Sequence, residues 1–292
     1  MRVTPPAARN TASPAAVSAQ AFPDFPTRLS RYSYLVSLMP EQLMADLGLD
    51  VRLASRTTAS YTPWTRGDRT GGLLVERPEG EATRTSFREL TGGDEEYAAW
   101  QEFYAEVGRL AEVVAPTLMQ PLPLERDVRA LVEQRIWTDV VEQPLGRAIL
   151  DRFTDDTVRG VVATDALIGT FASLDDPSLI QNRCFLYHLI GNATGEWRVP
   201  VGGMGAVTAA LEVAARNAGA TIVTGAGVSK IESDGTTATV TWHDGEREHW
   251  AECDHVLSNV APWVLQVLLG EEPGERPEGS QLKVNLLLTG LP

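Results

Sequence analysis

Between Gly195 and Pro262 the chain changes its hydrophobic period in a fixed order, and that order restricts the fold more than any other feature. Gly202-Gly203-Met204-Gly205 leads into a segment whose apolar positions, Val207, Ala210, Leu211, Ala214, Ala215 and Ala218, recur at helical spacing. Gly219 suits a left-handed helix end, and Thr221 to Thr224 reads as a strand directly after it. Three short strands follow, at Val228 to Glu232, Ala238 to Trp242 and Arg247 to Cys253. They are separated by Asp234-Gly235 and Asp244-Gly245, the dipeptides that favour tight hairpin turns. Asp254 to Ser258 reads as a short buried strand, and Trp263 to Leu269 as a short helix. Helix, strand and meander in this order predict an α/β fold.

The first half reads differently. A short helix is expected from Glu41 to Leu47, after Pro40 and before Gly48. Val51 to Trp64 is rich in Thr and Tyr and favours a strand, with Gly71 to Glu76 pairing to it across Arg66-Gly67-Asp68. Tyr97, Trp100, Tyr104, Val107, Ala111 and Val114 form one apolar stripe along a helix predicted from Asp94 to Leu118. Asp94, Glu95 and Glu96 then fall in its first turn, where negative charge is favoured. Two or three further helices are expected from Glu125 to Ile168, broken near Pro144 and Asp155-Asp156. Leu174 to Leu179 reads as a loop, and Arg183 to Ile190 as an apolar, aromatic segment. Gln281 to Leu288 reads as another strand.

The 292 residues carry 39 Asp and Glu against 25 Lys and Arg, a net charge of -14, so a nucleic-acid partner is not expected. Cys184 and Cys253 are far apart and form no C-x-x-C, which argues for two buried thiols in a reducing compartment. Apolar runs are too short to span a bilayer. Met1 to Gln20 has no signal-peptide core and reads as a disordered leader. The localisation these features suggest is cytoplasmic, or mitochondrial in a eukaryote.

Few residues announce chemistry. The Gly202 to Gly205 loop either faces a cofactor or substrate, with helix N–H groups behind it, or is a tight strand-to-helix turn. Gly225-Ala226-Gly227 contains G-x-G after a strand, but a strand follows where a dinucleotide fingerprint needs a helix. His188, His243, His249 and His255 have no metal-ligand spacing. His188 lies on an apolar stretch, which favours a structural histidine over a catalytic base. No metal site and no catalytic residue is assigned.

The order of elements nevertheless resembles a known family. The stretches that carry the resemblance are Arg31 to Pro40, Leu47 to Leu49, Ala163 to Gly169, Gly202 to Ala206, Val256 to Asn259, Lys283 to Asn285 and Leu291-Pro292. Together they are similar to the FAD-dependent oxidoreductases of the phytoene desaturase and amine oxidase superfamily, and within it to the pyridine nucleotide-disulfide oxidoreductase domain branch. The resemblance implies an incomplete Rossmann-like FAD/NAD(P)-binding domain plus an α+β substrate, or cap, domain. It divides the chain into a leader (1–21), a substrate domain (22–195), the central part of the FAD domain (196–270) and a return to the substrate-domain sheet (271–292).

By the same resemblance, the main chain of Val228 meets the adenine of FAD, and Gly202 and Gly203 pass close to the flavin or substrate. The family's opening G-x-G-x-x-G unit and its closing glycine-rich FAD segment have no counterpart here, so the chain is expected to be a fragment. The implied activity is flavin-mediated dehydrogenation or desaturation of a hydrophobic small molecule. The alternative is a catalytically inactive, truncated homologue that acts as a binding or regulatory protein. A second copy, another protein or a membrane surface are further partners the sequence leaves open.

Overall fold

The computed structural model describes residues 19–22, 25–30, 33–276, 284–288 and 290. They fall into two compact units, one of residues 19–214 with 284–288 and 290, the other of residues 215–276. The expected leader up to residue 18, the first three residues of the strand expected from 281, and Arg31, Tyr32, Lys283, Leu291 and Pro292 of the resembling stretches lie outside the described residues.

The first unit opens with β1 (Ala19–Phe22) and β2 (Phe25–Ser30), paired antiparallel, and α1 (Glu41–Asp46). β3 (Leu53–Ala54) pairs later in the chain with β6 (Val199–Pro200). β4 (Thr58–Arg66) and β5 (Arg69–Glu76) form the hairpin expected around Gly67.

Next comes α2 (Glu81–Thr91), a helix absent from the sequence expectations. Two of its four buried positions are hydroxyl residues, Thr83 and Ser86, and the other two are Phe87 and Leu90. The hydroxyls serve the adjacent strand. Ser86 Oγ accepts from Leu74 N and donates to Leu74 O, both at 3.0 Å, and Thr83 Oγ1 accepts from Glu76 N at 2.9 Å. The buried positions recur at helical spacing and the charged Glu81, Arg84, Arg88 and Glu89 lie exposed, so the helix is amphipathic although only Phe87 and Leu90 of its inner face are apolar.

α3 (Glu95–Val114) is the axis of the unit. Tyr97, Trp100, Phe103, Val107, Leu110 and Ala111 are buried along it. Phe103 meets Phe153 edge-on at 5.8 Å and Phe185 at 5.9 Å. Full burial of such a side chain stabilises by about 1.5–3 kcal/mol. Asp94 sits at the N-cap position without capping the helix. It instead ion-pairs Arg84 at 2.9 Å and Arg88 at 2.8 Å, which hold its carboxyl well below the ordinary range. The expectation of simple first-turn acids is corrected in this respect. Glu96 likewise turns inward, and accepts from Thr154 N at 2.6 Å and from the Thr154 hydroxyl.

Where two or three helices were expected, four form: α4 (Glu125–Arg129), α5 (Gln134–Trp137), α6 (Leu145–Arg152) and α7 (Asp156–Leu167). The breaks fall where the sequence placed them. Pro144 precedes α6, and Asp155 caps α7 by accepting from Thr157 N at 2.9 Å and Val158 N at 3.3 Å. α8 (Ile180–Leu189) packs on α7 and completes the helical block. A buried ionic group sits within it, with Arg152 2.7 Å from Glu106 and 2.6 Å from Asp139. The same guanidinium lies 5.1 Å from the centre of the Phe103 ring.

α9 (Met204–Asn217) follows the glycine loop, and the division between the units falls within it. In the second unit β7 (Gly227–Ser233), β8 (Ala238–His243) and β9 (Glu248–Cys253) form an antiparallel sheet in that order, followed by α10 (Pro262–Leu268). Asp234 Oδ1 accepts from Thr236 N and Thr237 N, both at 2.7 Å, and Asp244 Oδ1 from Arg247 N at 3.1 Å. Both Asp-Gly turns are closed by these bonds as well as by glycine.

Two expected strands do not form. Residues 221–224 and 254–258 are irregular; Val223 is 61% exposed and Leu257 is 99% exposed. A strand persists only beside a hydrogen-bonded neighbour, and the described sheet offers these segments none. Residues 284–288 are irregular as well. The mixed α/β architecture read from the sequence is the one that forms, but every ladder among the described residues is antiparallel.

Candidate functional site

The first unit holds a half-open cavity of about 1250 Å³. α3 contributes Trp100 and Tyr104, α7 contributes Thr164 and Asp165, and α8 contributes Cys184 and His188. The β4–β5 hairpin closes another side, and Trp197 lies just before β6. The volume exceeds that of most small-ligand pockets, about 300–1000 Å³, and the wall has their usual makeup of aromatic rings with a few polar groups.

The aromatic wall is held by hydrogen bonds. Trp100 Nε1 donates to Glu79 at 2.8 Å, and its ring lies tilted by 46° against Tyr104 with centroids 4.3 Å apart. Trp197 Nε1 donates to His188 O at 2.9 Å, and its ring stacks on the His188 imidazole at 5.0 Å. His188 Nδ1 lies 2.8 Å from Cys184 O. A carbonyl only accepts, so this bond places a proton on Nδ1 and, in the neutral ring, leaves Nε2 as an acceptor.

Burial raises the Asp165 carboxyl above its usual range, and the His188 charge offsets part of that. Burial also raises the Tyr104 phenol well above its usual value, with the Asp165 and Glu79 charges adding to it. The Cys184 thiol is pushed up by burial, a shift the Thr170 hydrogen bond opposes and the Asp165 charge reinforces. Its Sγ donates to Ile168 O at 3.0 Å. Cys184 and Cys253 are both half-buried rather than buried, which corrects the sequence reading, and neither forms a disulfide. Cys253 donates to Ala238 O at 3.5 Å.

Gly202 and Gly203 do not line this cavity. Gly202 and Gly203 have φ of +89° and +77°, a conformation other residues rarely adopt, and they precede α9 in the first unit. A side chain at Gly203 would point into open space. Val228 lies in the second unit, on β7 opposite Trp242, and is 44% exposed. β7 is an edge strand, so one row of its main-chain groups has no strand beside it. Gly225-Ala226-Gly227 leads into β7, not into a helix.

His188, expected to be structural, lines the cavity, whereas His243 and His249 are on the meander. His249 bonds Asp244 at 2.7 Å, which holds that carboxyl down at about 2. Sequence reasoning missed Arg56, Arg77, Glu79, Asp165 and Trp197 as site residues. Some signal was present, because the resembling stretches Arg31 to Pro40 and Ala163 to Gly169 contain Tyr34 and Asp165, and both line the cavity. Among the described residues no group of metal-ligating side chains occurs, and no helix is long and apolar enough to cross a membrane.

The sequence profile of the family described as flavin containing amine oxidoreductase matches residues 40–286. The chain belongs to that family. An uncharacterized Mycobacterium tuberculosis protein is 45% identical over 288 residues, covering 95% of this chain and 53% of its own length. The mouse pyridine nucleotide-disulfide oxidoreductase domain-containing protein 2 is 28% identical over 291 residues, covering 88% of this chain and 48% of its own length. The chain therefore spans about half the length of the curated relatives it matches. A putrescine oxidase double mutant, from a redesign of its cofactor binding, aligns with 89% of this chain and 53% of its own, at 16% identity and a TM-score of 0.49. Membership in the flavin-containing family bears out the resemblance read from the sequence.

Proposed function

We propose that this chain is the substrate-holding part of an FAD-dependent oxidoreductase that dehydrogenates a hydrophobic small molecule in the first-unit cavity. The observation that carries the reading is the large, half-open cavity with Trp100, Tyr104 and Trp197 in its wall, in a chain of the flavin-containing amine oxidoreductase family. Bound FAD would accept the hydride in such a reaction. The protein's part is to orient the substrate between Trp100, Tyr104 and Trp197 and to exclude water. His188 Nε2 is the atom suited to take the proton that leaves with the hydride.

For FAD itself the fit is partial. The edge-strand main chain at Val228 suits an adenine, and the Gly202-Gly203 turn suits a close approach by a flat ring. The sequence holds no G-x-G-x-x-G before a helix, which is the usual pyrophosphate anchor. The chain should therefore bind FAD weakly. Titrating it with FAD and following flavin fluorescence tests this reading. We expect saturable quenching that is reduced in Val228→Pro, which removes a main-chain N–H. Absence of saturation up to about 1 mM, where only ~4 kcal/mol of binding free energy is required, would count against the reading. It would favour instead a binding protein acting through the exposed apolar residues of the second unit.

A further inference from the structure

We infer that the molecule taken by the first-unit cavity carries an anionic head, a carboxylate or phosphate, on an apolar body. The inference rests on the reading of that cavity as the substrate chamber and adds the chemistry of the substrate. Its basis is three arginines without partners in a chain that has acids to spare.

Arg56, Arg77 and Arg183 all line the cavity. None of the three guanidiniums hydrogen-bonds or ion-pairs with a described residue, and Arg56 Nε is buried without a partner. Elsewhere the arginines of this acidic chain are mostly claimed. Arg66 holds Asp155 at 2.7 Å, Arg109 holds Glu133 at 2.8 Å, Arg152 holds Glu106 at 2.7 Å and Arg198 holds Glu41 at 2.6 Å. Free guanidiniums collected in one chamber are therefore a local departure from the rule of the molecule.

Their placement is defined by the backbone. Thr58 pairs with Glu76 in the β4–β5 register, and Arg77 N donates to Thr57 O at 2.8 Å just beyond that pair. Arg56 and Arg77 thus flank the same end of the hairpin, and Arg183 comes from α8. Two like charges at one end of a hairpin repel unless an anion joins them, and a guanidinium presents paired donors matched to carboxylate and phosphate oxygens.

No acid of the cavity forms an ion pair with them. Glu76 Oε2 is engaged by Thr83 N at 2.9 Å and by the Thr83 hydroxyl at 3.1 Å. Glu79 is engaged by Trp100, and Asp165 faces His188 with burial disfavouring its charge. The cationic donors left over are those of the arginines, and much of the rest of the wall is aromatic and aliphatic. An amphiphile with one anionic end matches both.

The test uses the full chain without added flavin, with dodecanoate and dodecyl phosphate as probes and dodecylamine as the cationic control. Binding is followed by the intrinsic tryptophan fluorescence, to which Trp100 and Trp197 in the cavity wall contribute. We expect at least one of the two anions to bind about tenfold or more tighter than dodecylamine. The anion preferred tells carboxylate from phosphate. Arg56→Gln/Arg77→Gln should weaken the bound anion by about 10- to 100-fold, in line with hydrogen bonds to a charged group, and leave dodecylamine nearly unchanged. Dodecylamine binding as tightly as both anions, or full anion affinity in the double variant, would overturn the inference. Should the double variant fail to fold, the exposed Arg183→Gln and the comparison of probes on the native chain still decide it. The assay contains no flavin, so its outcome and that of the FAD titration stand or fall separately.

Discussion

The two units of this chain bury their apolar residues very differently. In the first, Phe87, Phe103, Phe153 and Phe185 are sealed among α2, α3, α6 and α8. In the second, Ile231 and Ala238 are the buried apolar residues among those described, while Val223, Val228, Trp250 and Leu257 stand exposed. The first unit can close a core around a cavity. The second holds a three-stranded sheet whose β7 edge is uncovered by any strand. Stability and ligand specificity should therefore reside in the first unit, and surface for further contacts in the second.

The largest effect that could break this contrast comes from its two extremes. Phe103→Ala should cost about 3–5 kcal/mol in urea denaturation, through lost burial and a residual cavity. Leu257→Ala should lie within ~0.5 kcal/mol of the parent chain. Equal effects would mean that the two units share one core.

The next test is ionic. Arg152→Ala strands the buried carboxylates of Glu106 and Asp139 and should cost about 3 kcal/mol in the same assay. Lys230→Ala removes an exposed pair with Glu232, and a change beyond ~0.5 kcal/mol would contradict the contrast. Smaller again is the cap. Asp155→Ala removes the α7 cap and the partner of Arg66, and a loss of about 1–2 kcal/mol is expected.

The smallest effect sharpens the comparison by pH. Asp94 has a folded pKa below its unfolded value, so its contribution is complete above the ordinary carboxylate range and fades as the pH falls through it. Lowering the pH from about 5 to about 2 should therefore lower the Tm of the parent chain more than that of Asp94→Asn. Parallel curves would show that the Arg84–Asp94–Arg88 cluster is energetically idle.

What the sequence revealed follows the same division. The α3 stripe, the β4–β5 hairpin, the glycine loop before α9 and the Asp-Gly meander were legible, because each is set by local period and turn chemistry. α2 was not read although its period is helical, because only Phe87 and Leu90 of its four buried positions are apolar and Thr83 and Ser86 bond β5 instead. The strands expected at 221–224 and 254–258 have the right composition, but a strand also needs a neighbour, and composition does not state one. The cavity was legible only in fragments. Tyr34 and Asp165 fall in stretches shared with the family, whereas Arg56 and Arg77 meet through the hairpin register, which no linear motif records.

The most direct test of the account is hydrogen exchange across the chain, measured with and without excess FAD. The account predicts that FAD slows exchange in β7 around Val228 and around Gly202 and Gly203, while the already protected amides of α3 and α6 keep their rates. Unchanged exchange in β7, or protection confined to the helical core, would contradict it.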